Sequence, residues 1–423
     1  MKLITLKKTI LLFAAAILLL QSCEEGDLPN PDNTQTDRLK WSYDFETAMA
    51  FSLFNTVPAI DEAGNIYLAA DVQYGGQIVK LAADGTEIWS QLVAEFPLSR
   101  LIYYDSKIFY NSDSKLICIS AVDGTQLWSA TATNGYNTMA LTSDKIYTTN
   151  YEDGGIFGNN NSLLAFDHSG NKIWETKIKY SENDTITYPN AISVVGNNIY
   201  LGIFVEVDNS EFAILNYVDE GNTVSKQWSW LAPEDYSVGG GSPRIKDFAI
   251  DDNNNLIFGM ENSSTQYVFS LSNQGVENWR AATSLSRIIS NVTVDANGNC
   301  YAAYYKIQKI NEGGIVWTSE INAAWQYYGL VSKAPVISKE GNLTFENISR
   351  ILTSVAPDGV FLWEQFWDCN LCNDEFHNIT INRNGDIILI GKANIYCFEG
   401  DGSGLADKGW PKRYGDYGNT SSK

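Results

Sequence analysis

Few side chains in this 423-residue sequence are of the types that carry out chemistry. It contains two histidines, His168 and His377, so a Ser/His/Asp triad would have to use one of them, and a metal centre built on several histidines cannot form. Among the six cysteines, Cys369 and Cys372 are separated by two residues, with Asp374 and His377 just downstream. This spacing allows a disulfide, which forms in oxidising compartments, or a zinc site, and we expect the disulfide.

The sequence also contains segments that resemble sites for covalent haem and for calcium. Haem attachment needs a histidine directly after the second cysteine, where this chain has Asn373. Residues 251–255 and 295–299 resemble the start of a calcium loop but lack the downstream Glu of an EF-hand. The same pattern recurs at residues 61–65, where a hairpin is expected, so we interpret all three segments as turns.

Three further cysteines and His168 are assigned structural roles. Cys118, Cys300 and Cys397 fall inside predicted strands and are assigned to the core, because a buried free cysteine behaves as a small hydrophobic side chain. His168 lies in a predicted turn at residues 167–170 and is expected to be a solvated loop residue. We therefore predict no catalytic residue, no bound metal and no cofactor.

The N-terminus has the features of a bacterial lipoprotein signal. Three lysines precede an uncharged run at residues 10–20, which is too short for a hydrocarbon layer that needs about 20 residues. The run ends in LQSC at residues 20–23, which resembles a lipobox, so Cys23 is expected to be lipidated; the alternative is a plain secretory signal with a chance cysteine. We predict a signal peptide at 1–22, a flexible acidic tether at 23–38, and anchoring to the outer membrane, on its periplasmic side or at the cell surface.

Composition and charge restrict the class of protein. Apolar residues make up 44% of the chain and charged residues 19%, which excludes a disordered chain and a coiled coil. Fifty acidic and 29 basic side chains give a net charge of −21, which disfavours binding to nucleic acid or to anionic lipid. The composition assigns this charge no further role.

The tryptophans mark a repeat. A Gly followed four residues later by Trp occurs at Gly85/Trp89, Gly124/Trp128, Gly170/Trp174, Gly275/Trp279, Gly313/Trp317 and Gly359/Trp363. Trp228 and Trp410 take the corresponding places in two units with longer preceding loops. The distance from Trp41 to Trp410 is eight units of about 46 residues, and a period of that length with short strands is typical of a β-propeller blade.

One unit gives four strands, at residues 56–60, 66–69, 77–81 and 86–90 from the inside outward, with Gly-containing turns between strands. We therefore predict one all-β domain at 39–423, a single eight-bladed β-propeller of four-stranded antiparallel blades. The strand near Trp41 is expected to close the ring. A monomer is expected.

The repeat resembles a known family. The sequence CISAVDGTQLW at residues 118–128 is similar to the tryptophan-docking motif of the PQQ-like (quinoprotein alcohol dehydrogenase-like) eight-bladed propellers, and WPKRYGD at 410–416 is similar to the tail of such proteins. Each ring is expected to pack between adjacent blades, where a large flat side chain buries much apolar area. This docking role is assigned to Trp89, Trp128, Trp174, Trp228, Trp279, Trp317, Trp363 and Trp410.

The resemblance implies two functions. Enzymes of the superfamily bind pyrroloquinoline quinone (PQQ) and Ca²⁺, typically beside a vicinal Cys-Cys disulfide, and this sequence has no adjacent cysteines and nearly minimal repeats. We therefore expect no enzymatic activity, and neither PQQ nor Ca²⁺. The family also includes a lipidated, non-catalytic scaffold of the outer-membrane barrel-assembly machinery, which this chain resembles in fold and address.

The long segments of the repeat are predicted on one face of the propeller, where recognition usually occurs. Their aromatic side chains suit stacking on sugars or anchoring a peptide, although a place between blades is the alternative. The candidates for partner binding are Trp325, Tyr327, Tyr328, Trp367 and Tyr236. We expect a scaffold for protein partners in the cell envelope; a surface glycan-binding lipoprotein and a PQQ-dependent dehydrogenase-like enzyme are the alternatives.

Overall fold

The computed structural model describes residues 37–45, 57–72, 75–93, 97, 100–112, 115–131, 138–150, 161–181, 187–205, 211–233, 248–261, 265–285, 292–303, 306–319, 334–347, 351–366, 378–391 and 394–423. The chain consists of two compact units, Met1–Asp37 and Arg38–Lys423, and all the described strands belong to the second. None of the described residues forms a helix with the length and apolarity needed to cross a bilayer.

The described strands form eight antiparallel sheets of four strands each, which we call blades. Within each blade, the strands follow the chain from the inner edge to the outer edge. The strands are β1 (Leu39–Asp44); in blade 1, β2 (Ala59–Ile60), β3 (Ile66–Val72), β4 (Gly75–Leu81) and β5 (Glu87–Val93); in blade 2, β6 (Ile102–Tyr104), β7 (Lys107–Asn111), β8 (Lys115–Ser120) and β9 (Gln126–Thr131); in blade 3, β10 (Met139–Leu141), β11 (Lys145–Asn150), β12 (Ser162–Asp167) and β13 (Lys172–Lys177); in blade 4, β14 (Thr187–Val195), β15 (Asn198–Val205), β16 (Glu211–Asp219) and β17 (Val224–Leu231); in blade 5, β18 (Ala249–Ile250), β19 (Leu256–Glu261), β20 (Gln266–Leu271) and β21 (Glu277–Ala282); in blade 6, β22 (Thr293–Val294), β23 (Cys300–Ala303), β24 (Ile307–Asn311) and β25 (Gly314–Thr318); in blade 7, β26 (Val336–Ile337), β27 (Leu343–Asn347), β28 (Ile351–Val355) and β29 (Phe361–Phe366); and in blade 8, β30 (Asn378–Ile381), β31 (Ile387–Ile390) and β32 (Asn394–Phe398).

The N-terminal strand closes the ring. Blade 8 takes its fourth, outer strand from β1, which pairs antiparallel with β32 through partners such as Trp41 and Cys397. The inner strands of successive blades also contact one another, for example β2 with β6 and β26 with β30. The predicted fold, one eight-bladed propeller closed by the strand near Trp41, is confirmed.

Blade 1 shows why these sequences form strands. The sequences of β3 and β4, IYLAADV and GGQIVKL, are largely apolar because neighbouring blades cover both faces of the sheet. The outer strand β5 is mostly exposed. At the hairpin between β2 and β3, Asp61 Oδ1 accepts the backbone N–H groups of Ala63 and Asn65 at 2.9 and 2.8 Å. Gly64 completes the turn at φ 85°, a conformation that suits glycine.

The apolar core is divided among the seams between blades. Tyr67 and Ile78 of blade 1, for example, pack with Ile108 and Tyr110 of blade 2, and all four are almost fully buried. Three buried free cysteines belong to these seams, which confirms their assignment to the core: Cys118, Cys300 and Cys397. Burial raises the pKa of Cys118 to about 12, so this thiol remains protonated at neutral pH.

After blade 8, residues 404–423 run across the ends of the inner strands; we call this segment the C-terminal clasp. Its carbonyls at Tyr417, Gly418, Thr420 and Ser421 accept the backbone N–H groups of Ile60, Tyr103, Leu141 and Val194, one in each of blades 1 to 4, at 2.9–3.0 Å. Farther upstream, the clasp also exchanges backbone hydrogen bonds with the inner strands of blades 6 and 7.

Trp410 does not take the predicted docking place. It is 2% exposed and forms an antiparallel bridge with Val294 on the inner strand of blade 6, with N–H···O distances of 2.7 and 3.0 Å. The physical reason is the closure of the ring: β1 supplies the outer strand of blade 8, so the last tryptophan of the chain belongs to the clasp. Trp41 occupies the eighth outer-strand position instead.

Candidate functional site

Five tryptophans make one recurring contact with the following blade. Each ring lies against a turn glycine, at which a Cβ would come within 2.6–3.0 Å of the nearest ring atom. Each indole N–H also donates to a backbone carbonyl in the same turn region at 3.0–3.3 Å. The pairs are Trp41 with Gly85, Trp89 with Gly124, Trp128 with Gly170, Trp228 with Gly275 and Trp317 with Gly359.

This contact explains the Gly-x-x-x-Trp spacing. Gly124 and Trp128 belong to the same blade, but Gly124 receives Trp89 of the blade before it, and Trp128 packs on Gly170 of the blade after it. The two ends of one motif therefore face opposite neighbours. The Trp-on-Gly contacts link blade 8 to blade 1, blade 1 to blade 2, blade 2 to blade 3, blade 4 to blade 5 and blade 6 to blade 7.

Three other predicted docking tryptophans have different surroundings. Trp174 is 6% exposed and packs in the seam of blades 3 and 4, where its indole N–H is buried without an acceptor among the described residues. Trp279 packs on the core of blades 4 to 6. The guanidinium of Arg38 lies over the Trp363 ring, 4.6 Å from the ring centroid. For Trp174, the turn glycine of the following blade is Gly221. A Cβ at Gly221 would meet no atom within 4 Å, so the Trp174 indole does not lie on this glycine.

His168 is not the solvated loop residue that the sequence predicts. Its Nε2 lies 3.1 Å from the Thr142 carbonyl oxygen, and its ring packs on Tyr104 and Phe109 of blade 2. Its own carbonyl accepts the indole N–H of Trp128 at 3.0 Å. Desolvation lowers the pKa of His168, which favours a neutral ring at neutral pH. The turn abuts the previous blade, and a single unit of sequence does not reveal that contact.

The three acidic segments that resemble calcium loops are hairpin turns, as predicted. In each, one aspartate Oδ1 accepts the backbone N–H groups two and four residues on, and Oδ2 accepts an Asn side chain. Asp61 and Asp295 also accept the hydroxyls of Tyr67 and Tyr301 at 2.8 Å. These bonds occupy both carboxylate oxygens. Within the described part of the chain, no group of three His, Cys, Asp or Glu side chains is placed to hold a metal ion.

Several predicted sites lie outside the described residues. These are the lipidation site Cys23, the cysteines Cys369 and Cys372, and the partner-binding candidates Trp325, Tyr327, Tyr328, Trp367 and Tyr236. Their roles stay predictions. Among the described strands on either side of the aromatic candidates, β17, β25 and β29 end, and β18, β26 and β30 begin, at the end of the blades opposite to the hairpin turns and the clasp, because a four-stranded antiparallel meander places its first and third turns at one end.

A buried polar cluster lies under the clasp, at one mouth of the central channel that a propeller ring encloses, and no feature of the sequence predicts it. Arg100 and Lys412 are 1% and 0% exposed. Arg100 donates to the Asn419 carbonyl at 3.0 Å and to Ser421 Oγ at 2.5 Å, and its guanidinium stacks on the Tyr414 ring at 3.7 Å from the centroid. Charged side chains are rarely buried, and no spacing in the sequence marks these two, so nothing in the pattern could have identified them.

The comparisons with known proteins bear on this geometry. Residues 32–204, less than half of the chain, match the PQQ_2 family model, described as outer membrane protein assembly factor BamB. The match covers the N-terminal strand and the first blades, in which three of the five Trp-on-Gly contacts lie. The chain is an eight-bladed β-propeller whose N-terminal part is similar to this PQQ-like family.

Several solved structures share the propeller fold. The Dos1 propeller superposes with a TM-score of 0.58 at 9% identity, over 88% of this chain and 97% of that one. The C-terminal WD40 domain of Sif2 superposes with a TM-score of 0.54 at 9% identity, over 85% and 98%. BamB from Moraxella catarrhalis gives 0.44 at 10% identity, over 82% and 85%. No curated protein matches the sequence. At such identities, the Dos1 and Sif2 structures establish the fold alone.

Proposed function

We propose that this propeller is a non-catalytic scaffold of the cell envelope that binds a protein partner. The observation that carries the proposal is the match of residues 32–204 to a family described as an outer membrane protein assembly factor. The lipobox-like sequence ending at Cys23 supports an envelope location, with the lipid on the outer membrane.

The position of the clasp favours one face for the partner. Backbone hydrogen bonds from the inner strands of blades 1 to 4, 6 and 7 hold the clasp over one mouth of the channel. Of the strands that flank Trp325, Tyr328 and Trp367 along the chain, β25 and β29 end, and β26 and β30 begin, at the opposite end of the blades. A rigid ring with long segments on one face is a common arrangement for recognition, so the partner is assigned to that face.

Site-specific cross-linking in intact cells tests the proposal. Replacement of Trp325, Tyr328 and Trp367 together with Ala should abolish cross-linking to the envelope partner and leave the thermal midpoint within about 2 °C, because single surface changes cost about 0.5 kcal/mol or less. A matched triple Ala variant on the exposed outer strands, at Ile88, Leu127 and Val316, should retain the partner; these side chains are 48%, 50% and 50% exposed. Unchanged capture by the first variant would refute this binding face.

Three further measurements separate the alternatives. Labelled palmitate should be incorporated into the wild-type chain and not into Cys23→Ser, and a soluble, unlabelled wild-type chain would contradict the anchor. Binding to a polysaccharide panel without any protein cross-link would favour a glycan-binding lipoprotein. Dye reduction after reconstitution with PQQ and Ca²⁺ would favour an enzyme.

A further inference from the structure

The clasp bridges the ring through main-chain hydrogen bonds. The amides of Ile60, Tyr103, Leu141 and Val194 donate to it from four successive blades, and Lys423 donates in return to the Val194 carbonyl at 2.9 Å. The side chain of Lys423 also forms an ion pair with Asp252 of blade 5. The clasp is thus an extended segment seated on the ends of the inner strands, in contact with blades that are otherwise distant along the chain.

Lys412 is a residue of the clasp, and its side chain is completely buried. Its Nζ donates to Asn419 Oδ1 at 2.6 Å and approaches the Pro58 carbonyl oxygen of blade 1 at 3.5 Å. The charged groups that face it are Arg100, from blade 2, and Asp416, from the clasp itself. The carboxylate of Asp416 is already engaged by the backbone N–H and hydroxyl of Thr420, at 2.9 and 2.7 Å.

The fully buried amine therefore has a second cation and one shared carboxylate as its charged neighbours. Burial in such surroundings destabilises a protonated amine. Desolvation, with Arg100 adding to it, lowers the pKa of Lys412 from 10.5 to about 7. At neutral pH, the closed clasp holds an amine that is about half protonated, whereas the same amine in water would be fully protonated.

The backbone of the clasp also bears strain. Tyr414, Asn419 and Ser421 adopt φ values of 67°, 62° and 52°. Non-glycine residues rarely occupy this region, and such strain persists only where surrounding contacts impose it. The hydrogen bonds from Asn419 Nδ2 to the carbonyls of Val57 and Leu101, at 2.9 and 3.2 Å, are contacts of that kind. Strained backbone and a destabilised cation occur in the same segment.

We propose that the clasp is a releasable closure of this mouth of the channel and that a proton on the Lys412 amine favours its release. In the open state, the amine reaches water and holds its proton, whereas closure favours release of that proton. Opening and proton uptake are thereby linked, so acidification from alkaline pH opens the mouth. The linkage acts between the closed-state pKa near 7 and the free-amine value of 10.5.

Hydrogen exchange measured by mass spectrometry on the full mature chain tests the proposal. After correction for intrinsic exchange rates, the opening constant of peptides covering residues 417–423 should rise about tenfold for each pH unit from pH 9 to pH 7 and level off below pH 7. The amides of Ile60, Tyr103 and Leu141 should follow the same profile, since they donate to the clasp. Amides of β19 and β20, which lie in the blade 5 core, should not.

Lys412→Met should remove the pH dependence and slow the exchange of the clasp at pH 7, because an apolar side chain carries no proton to lose on closure. The matched control is Lys172→Met, a lysine whose side chain is 51% exposed and which should keep the wild-type profile. A flat wild-type profile, or an equal slope in Lys412→Met, would overturn the proposal. If the variant does not fold, the wild-type chain still decides: a slope confined to the clasp peptides and to the inner-strand amides that donate to them supports release, and a slope shared by β19 and β20 refutes it.

Discussion

Gly275 and Gly221 both adopt a positive φ, 78° and 98°, yet their surroundings differ. A Cβ on Gly275 would lie 2.6 Å from the indole of Trp228, and a Cβ on Gly221 would meet nothing within 4 Å. Adding a side chain therefore has a conformational cost at both positions, but it causes a steric clash only at Gly275. This pair separates the two reasons for which a turn selects glycine.

Gly275→Ala should lower the free energy of unfolding by about 2–5 kcal/mol, since left-handed backbone costs about 1–2 kcal/mol and a displaced ring adds about 1–3 kcal/mol. Gly221→Ala should lower it by about 1 kcal/mol. Urea unfolding followed by tryptophan fluorescence measures both. Equal losses in the two variants would mean that the Trp228 contact contributes nothing beyond backbone conformation.

Aspartates in turns give the net charge of −21 a structural role that composition could not assign. Their side chains accept the backbone N–H two residues on, the hydrogen bond that defines an Asx turn. Nine described residues do so: Asp61, Asp84, Asp123, Asp167, Asp219, Asp251, Asp295, Asp358 and Asp401. The acidic bias is thus partly a consequence of building many hairpins.

At the scale of elements, the sequence predicted more about strands than about the contacts between blades. Gly-Trp spacing and Gly/Asn turns repeat with every unit, so the eight units and their four-stranded pattern could be derived from one chain. The predictions for Trp410 and His168 are wrong because the surroundings of both residues depend on which blade supplies the neighbouring surface. Local periodicity holds no information about a contact made across a seam or between the two ends of the chain.

A buried ion pair fastens blade 3 to blade 4. Lys145, at the start of β11, donates to both oxygens of Asp219, at the end of β16, at 2.8 and 2.7 Å, and the Tyr147 hydroxyl donates to the same carboxylate at 2.7 Å. Burial raises the pKa of Asp219, but the bonds from Lys145, Tyr147 and the Gly221 amide outweigh burial and lower it overall. The carboxylate is therefore ionised throughout the neutral range.

Asp219→Asn should cost roughly 3 kcal/mol of unfolding free energy at pH 7, because it leaves the buried Lys145 ammonium without its counter-charge. The folded-state pKa of Asp219 lies below its ordinary value near 3.8, so this stabilisation is complete above that value and is lost as the pH falls through the folded-state pKa. Urea midpoints should differ between variant and wild type at pH 7 and pH 5, and the difference should shrink as the pH falls below 3.8.

The matched control for this prediction is Glu175→Gln, which removes the partner of Lys172. The side chains of that pair are 51% and 27% exposed, and an exposed pair contributes less than about 1 kcal/mol. A variant of Asp219 as stable as wild type at pH 7 would show that the ion pair adds nothing to the seam. A difference as large at pH 3 as at pH 7 would show that the charge is not its source.

At the scale of the whole molecule, two closures act on the ring. β1 completes blade 8 at the outer edge by pairing with β32, and the clasp crosses the inner edge and bonds to the inner strands of blades 1 to 4, 6 and 7. A blade otherwise contacts chiefly its two neighbours, as in other repeat proteins, where cooperativity depends on the interfaces between neighbours. The clasp adds contacts between blades that are not neighbours, so it should make unfolding of the ring more cooperative.

Deletion of residues 409–423 should therefore lower the thermal midpoint by roughly 5–10 °C and broaden the transition, whereas the complete chain should unfold in one sharp step. The loss follows from the removal of six main-chain hydrogen bonds donated to the clasp by Ile60, Tyr103, Leu141, Val194, Val294 and Ile337, together with the buried Trp410. Scanning calorimetry compares the calorimetric with the van't Hoff enthalpy. Deletion of residues 24–36, a similar length of the predicted tether, is the control and should leave both quantities unchanged. An equally sharp transition at the wild-type temperature after removal of the clasp would mean that contacts between neighbouring blades alone make this ring cooperative.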